Sequence, residues 1–142
     1  MTTPTRVCLR PGERIFINGA VIKVESRTTL ELLNDVPYLV ESEIMHPQQT
    51  VTPLRQLYFV LQTMVMEPGG FEAARGVYED SMNCLMKTFA NAIVLAGLET
   101  ISRQVAAGSP FHALKTLRGI IPIEDAILGG NRMAELRVVK AG

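Results

Sequence analysis

The dipeptide Asn18-Gly19 constrains the fold of this chain more than any other stretch of its sequence. It separates two short runs rich in β-branched residues, RIFI at 14–17 and AVIKV at 20–24. A two-residue type I′ turn requires positive φ at both central positions, and Asn and Gly tolerate that conformation best. The sequence therefore predicts a β-hairpin whose turn fixes the register of both strands.

The predicted register gives the hairpin two different faces, because successive side chains in a strand point to opposite sides. One face is expected to be the core side, and it carries Ile15, Ile17, Ala20, Ile22 and Val24. The opposite face carries Arg14, Phe16, Val21, Lys23 and Glu25. This second face is the candidate surface for a partner.

Arg14 and Lys23 fall directly opposite each other in this register. Like charges at paired positions are mildly destabilising unless something offsets them. One explanation is an anionic partner that binds both cations. The other is structural: Glu25 or an acid from a neighbouring strand neutralises the pair, and a helix covers Phe16, since both faces of a hairpin can be buried in a small barrel.

The charge of the chain is balanced as a whole but polarised near its amino-terminal end. Fourteen Lys and Arg residues match fourteen Asp and Glu residues, so any anion site must be a local patch. Residues 1–27 contain five cations and two acids, whereas residues 28–50 contain four acids and no Lys or Arg. With 47% hydrophobic residues among 142, the chain can build one compact domain or two small lobes around a real core.

The order of the predicted elements indicates an α+β protein, with a small antiparallel β-sheet or barrel at the amino end followed by a helical region. Besides the hairpin, strands are expected in RVCLR (6–10), TTLELL (28–33) and VPYLVE (36–41). We therefore predict a β-rich lobe over residues 1–50, a helical lobe over 51–130 and a flexible tail over 131–142.

The first helix of the helical lobe is well marked in the sequence. Thr52 is a good N-cap and Pro53 a good first-turn residue, and an apolar stripe at helical spacing continues to about Met66. The segment Pro68-Gly69-Gly70 is expected to end this helix.

A second region of helical periodicity begins at Phe71. It predicts either one long helix or a pair of helices that is broken near Gly97, where the helical propensity is weakest. Another helix is expected to start at Ser109-Pro110 and to be interrupted at Pro122.

Candidate groups for catalysis or metal binding are sparse. Glu43 and His46 could ligate a metal, but two ligands without a third at matching spacing form a weak signal. Cys8 lies in a predicted strand without an oxyanion-hole motif, and no phosphate-binding glycine loop is present. We expect a non-enzymatic protein without a cofactor or metal.

The cysteines also bear on the location of the protein. Cys8 and Cys84 lie far apart in sequence, which favours a reducing cytoplasm. The sequence has no apolar run of about 18 residues, so we expect no membrane contact.

Four longer strings occur in a recognisable order and spacing: LRPGERIFINGAVIKVE (9–25), LNDVPYLVE (33–41), TPLRQLYFVLQ (52–62) and HALKTLRGIIPIEDAIL (112–128). Together they resemble the FlbT family of bacterial flagellar biosynthesis regulators, over nearly the whole chain up to Leu128. The resemblance implies a post-transcriptional regulator that associates with the 5′ untranslated leader of flagellin mRNA and lowers its translation or lifetime. It also implies a small partner protein, FlaF, and no catalytic residues.

The hairpin face is the predicted RNA-binding surface. RNA leaders are recognised mainly through single-stranded loops, whose phosphates pair with Arg and Lys and whose bases stack on aromatic side chains. Arg14, Phe16 and Lys23 supply both kinds of group on one predicted face. Arg6 and Arg10 would extend this surface if the first strand adds beside the hairpin.

A second hypothesis is a protein-binding adaptor or chaperone that acts on flagellin or FlaF without direct RNA contact. The neutral overall charge favours it. Methionine is a soft side chain that repacks against partner helices. Because Met64 and Met66 lie near the end of their helix, we predict that they are the surface residues of a protein interface. The alternative is that these methionines are ordinary core residues. The sequence leaves a homo-oligomer open.

Overall fold

The structure is a computed structural model that describes the backbone of residues 4–141 and the side chains of residues 4–129. Its strands are β1 Thr5–Leu9, β2 Arg14–Ile17, β3 Ala20–Lys23, β4 Thr28–Leu32 and β5 Tyr38–Val40. Two 3₁₀ turns follow, at Glu41–Glu43 and Pro47–Gln49. The helices are α1 Pro53–Met66, α2 Gly70–Thr88, α3 Ala92–Ala106 and α4 Pro110–Ala141. The predicted α+β layout, with antiparallel strands before helices, is confirmed.

The strands form two small antiparallel sheets. Strand β1 pairs with β4, and the second sheet has the order β3-β2-β5. The hairpin register is confirmed, because Arg14 lies opposite Lys23. Its turn residues have the positive φ that the type I′ turn requires, 43° at Asn18 and 99° at Gly19.

Strand β2 is the centre of the β-rich lobe, because both of its faces are buried. Ile15 contacts Val7 and Leu9 in a small core between the two sheets. On the opposite face, Phe16 packs with Leu39 into the larger core that the helices form. The molecule therefore has three layers: the β1-β4 sheet, the β3-β2-β5 sheet and the helices.

The predicted core face of the hairpin is correct for β2 and wrong for most of β3. Ile17 and Val24 pack against the small core, as expected. Ala20 and Ile22 are exposed, and Ile22 retains 41% of its accessible surface. The physical reason is position: β3 is an edge strand that pairs with β2 alone.

Helix α1 begins and ends where the sequence predicts. The Thr52 hydroxyl accepts a hydrogen bond from the Arg55 backbone N–H at 3.3 Å, and Pro53 occupies the first turn. The chain then turns sharply into α2, with φ of 71° at Gly69. A Cβ on the next residue, Gly70, would lie 2.3 Å from the Thr63 carbonyl oxygen, so only glycine fits there.

The break between α2 and α3 lies before Ala92, and the predicted break near Gly97 is wrong. The Asn91 side chain accepts hydrogen bonds from the N–H groups of Ile93 and Val94 at 2.9 and 3.1 Å, so it caps a new helix. Gly97 lies inside α3 for a packing reason. A Cβ there would approach Ile120 Cγ2 of α4 to 2.8 Å.

The expected interruption of α4 at Pro122 is also wrong. The proline lies within the helix, with its side chain exposed, so its ring displaces no neighbouring element. The predicted flexible tail, 131–142, concerns residues whose side chains lie outside the described range, and it stays a prediction. No helix in the described chain is both long and apolar enough to cross a bilayer.

The helices pack in the spatial order α2-α1-α4-α3. Leu54, Leu57 and Leu61 of α1 are fully buried between their neighbours, and Leu98, Ile101 and Leu114 line the contact of α3 with α4. Helices α2 and α3, at the two ends of this order, touch only sparsely. A seam is left between them.

Candidate nucleic-acid interface

A row of three charged residues crosses the larger sheet. Arg14 lies between its cross-strand partner Lys23 on β3 and Glu41, which follows β5. The Glu41 carboxylate accepts a hydrogen bond from the Arg14 backbone N–H at 3.2 Å. An acid from a neighbouring strand is therefore present, as the structural alternative expects, but it binds the main chain.

The guanidinium of Arg14 and the ammonium of Lys23 are accessible to an external anion. Among the described residues, neither the Arg14 guanidinium nor the Lys23 ammonium has a carboxylate oxygen within 4 Å. Both side chains are exposed. Two adjacent exposed cations without an internal counter-ion can bind an external anion such as phosphate.

Phe16 cannot take part in this surface, so its prediction as a stacking platform is wrong. Its side chain is only 3% exposed and packs with Leu39 against the helices. Arg14 and Lys23 lie on the same face, two residues further from the turn, and both are exposed. The hairpin therefore offers charge without an aromatic ring.

The first strand does not add beside the hairpin, because β1 pairs with β4 and not with β3, so Arg6 does not extend the hairpin surface. Val7 and Leu9 point into the core between the sheets. Alternation along the strand then directs Arg6 to the outer side of the lobe, where it is exposed opposite Glu31. Arg6 thus lies apart from the hairpin pair. Arg10 follows β1, and its backbone N–H donates to the Glu13 carboxylate at 3.2 Å, beside the start of β2.

Sequence reasoning missed a cation held above aromatic rings at the start of α4. The Lys115 ammonium lies 4.6 Å from the ring centroid of Phe111 and 5.6 Å from that of Tyr38 on β5. The spacing of Phe111 and Lys115 on one helix face is a usable signal, but the contact with Tyr38 depends on tertiary structure. Lys115 is exposed, whereas Phe111 is buried.

A polar cluster joins the β-rich lobe to the helices. The Arg118 guanidinium pairs with the Glu43 carboxylate, which also accepts from the Val40 backbone N–H at 3.1 Å. The Tyr58 hydroxyl donates to the Glu43 carbonyl oxygen at 2.6 Å. Burial raises the pKa of Tyr58, and the neighbouring Arg118 charge opposes that rise. Since Glu43 is fully engaged here, it is unsuited to binding a metal with His46.

A second cluster joins α1 to α4 beside a cleft of about 290 Å³. The Arg55 guanidinium makes a bidentate contact with Asp125, at 2.6 and 2.9 Å, which lowers the pKa of Asp125 and raises that of Arg55. Arg55 also lies 3.9 Å from the buried carboxylate of Glu124. These cations are paired internally, so the cleft carries structural ion pairs. No group of three potential metal-binding side chains occurs among the described residues.

The predicted protein interface at Met64 and Met66 is not an exposed surface. Met64 is only 5% exposed, and Met66 is half-buried against the main core. Helix α1 lies between α2 and α4, so both flanks of its apolar stripe are covered. Exposed apolar side chains lie on α2 and α3 instead, among them Val77 (57%), Met86 (37%) and Ile93 (63%).

Fold and surface together define a class of small α+β protein in which two sheets are docked on a helical layer and two adjacent cations of the hairpin are exposed. The family model described as Flagellar protein FlbT matches residues 5–128 of the chain. The chain belongs to the FlbT family.

Several curated relatives share this similarity along nearly their full length. A protein of Chelativorans sp. (strain BNC1), named "Probable flagellum biosynthesis repressor protein FlbT", is 42% identical over 135 residues, 95% of this chain and 93% of that protein. A protein of Allorhizobium ampelinum with the same name is 43% identical over 134 residues, 94% of this chain and 90% of that protein. No solved structure matches the chain.

Proposed function

We propose that this protein represses flagellum biosynthesis by binding the 5′ untranslated leader of flagellin mRNA and lowering its translation or lifetime. The names of the relatives support the repressor role. The observation that carries the RNA contact is the pair Arg14 and Lys23, which are exposed side by side without a carboxylate within 4 Å in the described chain. Adjacent phosphates of a single strand offer matching negative charges.

The expected mode of binding is electrostatic, because Phe16 is buried and the hairpin has no stacking ring. Phosphate contacts position a nucleic acid but carry little sequence information. This surface therefore supplies affinity, and selectivity for the flagellin leader comes from the shape of the RNA or from a partner. From the family resemblance we take that partner to be FlaF.

The test is direct binding of purified protein to a fluorescent flagellin leader RNA, followed by anisotropy, with an RNA of equal length from the coding region as control. The proposal expects tighter binding to the leader and an affinity that falls linearly with the logarithm of salt concentration. Absence of binding in low salt, both with and without FlaF, would exclude the RNA contact.

The second candidate function is an adaptor or chaperone that binds flagellin or FlaF and acts on RNA only indirectly. The neutral charge of the chain and the burial of Phe16 favour it. The same assay separates the two functions: an adaptor forms a complex with flagellin or FlaF but leaves the anisotropy of the leader RNA unchanged.

A further inference from the structure

We propose that strand β3 is a docking edge for an extended acidic segment of a partner protein, which adds to the sheet as a further antiparallel strand. In the order β3-β2-β5, β3 has a neighbouring strand on one side only. Among the strands of the described chain, β3 alone has every residue exposed. The edge is therefore open to an approaching chain.

The free edge of β3 carries backbone groups without partners. In a two-residue hairpin the pair beside the turn is hydrogen-bonded, and bonded pairs then alternate with non-bonded pairs along the strands. Val21 and Lys23 belong to non-bonded pairs, so their N–H and C=O groups point away from β2. The hydrogen bond from the Val24 N–H to the Glu13 carbonyl, at 3.2 Å, agrees with this alternation. No backbone partner for the outward groups occurs within the described residues.

Apolar side chains flank this edge on both faces. Val21 keeps 68% of its accessible surface and Ile22 keeps 41%, and alternation along the strand directs them to opposite faces. Neither side chain belongs to the two cores. An added strand would cover both of them with its own alternating side chains. An exposed apolar edge is the kind of site at which strands of other chains add.

The charges across the sheet select an acidic occupant. Along one row the order is Glu41, Arg14 and Lys23, so the two cations have an acid on the β5 side and none on the β3 side. A residue that an added strand places opposite Lys23 continues this row on the same face. An acid at that position gives each cation an acidic neighbour and offsets the like-charge pair.

The register also defines the sequence pattern of the segment. In an antiparallel addition, three consecutive residues of the segment lie opposite Lys23, Ile22 and Val21 in that order. The first is acidic, and the next two are apolar because each covers an exposed apolar side chain of β3. Main-chain hydrogen bonds supply the affinity of such an addition, and these three side chains supply its selectivity.

A second copy of the chain does not provide this pattern. Strand β3 ends at Lys23, and its other residues are apolar, so pairing with β3 of another copy places no acid opposite Lys23. It also brings two lysines onto adjacent strands, and a lysine on an edge strand is a common device against such pairing. The occupant is therefore a strand of a different protein.

The segment and RNA should exclude each other. The acidic residue and an RNA phosphate bind the same two cations, Arg14 and Lys23, so an added strand removes the charge that the leader RNA uses. This consequence rests on the proposed function, whereas the strand addition itself does not.

The experiment titrates the isotope-labelled full chain with a synthetic peptide and follows the backbone amide shifts. The peptide has about eight residues, within the usual length of a strand, and carries Glu-Ile-Val at its centre. Shift changes are expected to concentrate in β3, at the amides of Val21 and Lys23. A control peptide with Gln in place of Glu should bind about two- to fivefold more weakly, which is the scale of an exposed ion pair.

Two variants at one position separate strand addition from side-chain contact. Val21→Pro removes an N–H that points to solvent, so the hairpin keeps its own hydrogen bonds, but the ring blocks an added strand. It should weaken peptide binding about tenfold or more, since a donor is lost and the approach is obstructed. Val21→Thr keeps the N–H and the branched shape and should stay within about twofold. Unchanged amide shifts in the helices show that both variants are folded.

Four results would overturn the strand addition. They are equal binding of the Glu and Gln peptides, equal binding by the two Val21 variants, shift changes away from the hairpin, and self-association of the free protein that Val21→Pro abolishes.

A last arm adds the Glu peptide to the complex with fluorescent leader RNA, and the anisotropy should fall as RNA is released. Retention of RNA by the peptide-saturated protein would overturn the placement of the acid beside Lys23. Failure of RNA to bind before peptide is added would contradict the proposed function alone, because the shift titration contains no RNA.

Discussion

The carboxylate of Glu124 accepts a hydrogen bond at 2.9 Å from the backbone N–H of Leu54, so a side chain of α4 caps the first turn of α1. Glu124 is 1% exposed, and the Leu54 N–H has no partner within its own helix. A negative charge at a helix amino end is also favoured by the helix dipole. This contact joins positions 70 residues apart in sequence.

Removing this cap should destabilise the fold. Glu124→Ala leaves the Leu54 N–H buried without an acceptor, so we expect the free energy of unfolding to fall by about 1–3 kcal/mol. Glu124→Gln retains an acceptor and should cost less. Urea denaturation measures both, with Glu99→Ala on the exposed face of α3 as a control that changes stability by less than about 0.5 kcal/mol. Equal stability of all three variants would show that the cap contributes nothing.

The Arg55–Asp125 pair makes stability depend on pH in the acid range. Its bidentate hydrogen bond lowers the pKa of Asp125 in the folded state, so the pair stabilises the protein fully above the pKa of an unfolded aspartate. The contribution is lost as pH falls through the lower pKa of the folded state. Because the Asp125 side chain is 47% exposed, solvent screens the pair, and we expect less than about 1 kcal/mol.

Denaturation of the native protein and of Asp125→Asn between pH 6 and pH 2 tests this dependence. The native protein should be the more stable at pH 6, and the difference should vanish at the acid end. A difference that stays constant over the whole range would assign the effect to packing rather than to charge.

Two buried tyrosines should respond in opposite ways to loss of their hydroxyl groups. Tyr58→Phe removes a hydrogen bond of 2.6 Å to the Glu43 carbonyl and should cost about 1 kcal/mol. Tyr78→Phe removes a hydroxyl without a described partner, so stability should be unchanged or higher. Thermal unfolding of the two variants gives the comparison, and a loss at Tyr78 equal to that at Tyr58 would mean that the Tyr78 hydroxyl is hydrogen-bonded.

The turn from α1 into α2 should tolerate no side chain at Gly70. Gly70→Ala places a methyl group against the Thr63 carbonyl, and relieving that overlap should cost about 1–3 kcal/mol. Gly76→Ala is the matched control on the same helix, because a Cβ there meets no atom within 4 Å. It should stabilise the protein by about 0.5–1 kcal/mol through helix propensity. Equal effects of the two substitutions on the denaturation midpoint would contradict the close approach.

Local signals predicted the elements whose ends are marked by turn or cap residues. Asn18-Gly19 gave the hairpin and its register, and Thr52-Pro53 gave the start of α1. The break before α3 was missed because Gly97 is a weak point in propensity, whereas the Asn91 cap decides where the new helix starts. Gly97 is required for contact with Ile120, which no local pattern contains.

The candidate interface was predictable only in part, because burial of a strand depends on what packs against it. The register of Arg14 and Lys23 follows from the turn alone. The burial of the Phe16 side chain depends on the helices that pack against β2. The separation of Arg6 from the hairpin depends on the pairing of β1 with β4. Both are contacts between segments distant in sequence.

Lys23→Gln gives the most direct test of the RNA-binding surface. Relief of the repulsion with Arg14 should leave the free protein equally stable or more stable by a few tenths of a kcal/mol. Lys87→Gln, in the last turn of α2, makes the same change in net charge and serves as the control.

The decisive quantity is the dependence of leader-RNA affinity on salt concentration, measured by anisotropy for the native protein and these two variants. Lys23→Gln should weaken binding and flatten the log-log slope by about 0.7, because one fewer counterion is released from a single strand. Lys87→Gln should leave the slope unchanged. If Lys23→Gln has the same slope and affinity as Lys87→Gln, the Arg14–Lys23 pair does not contact RNA.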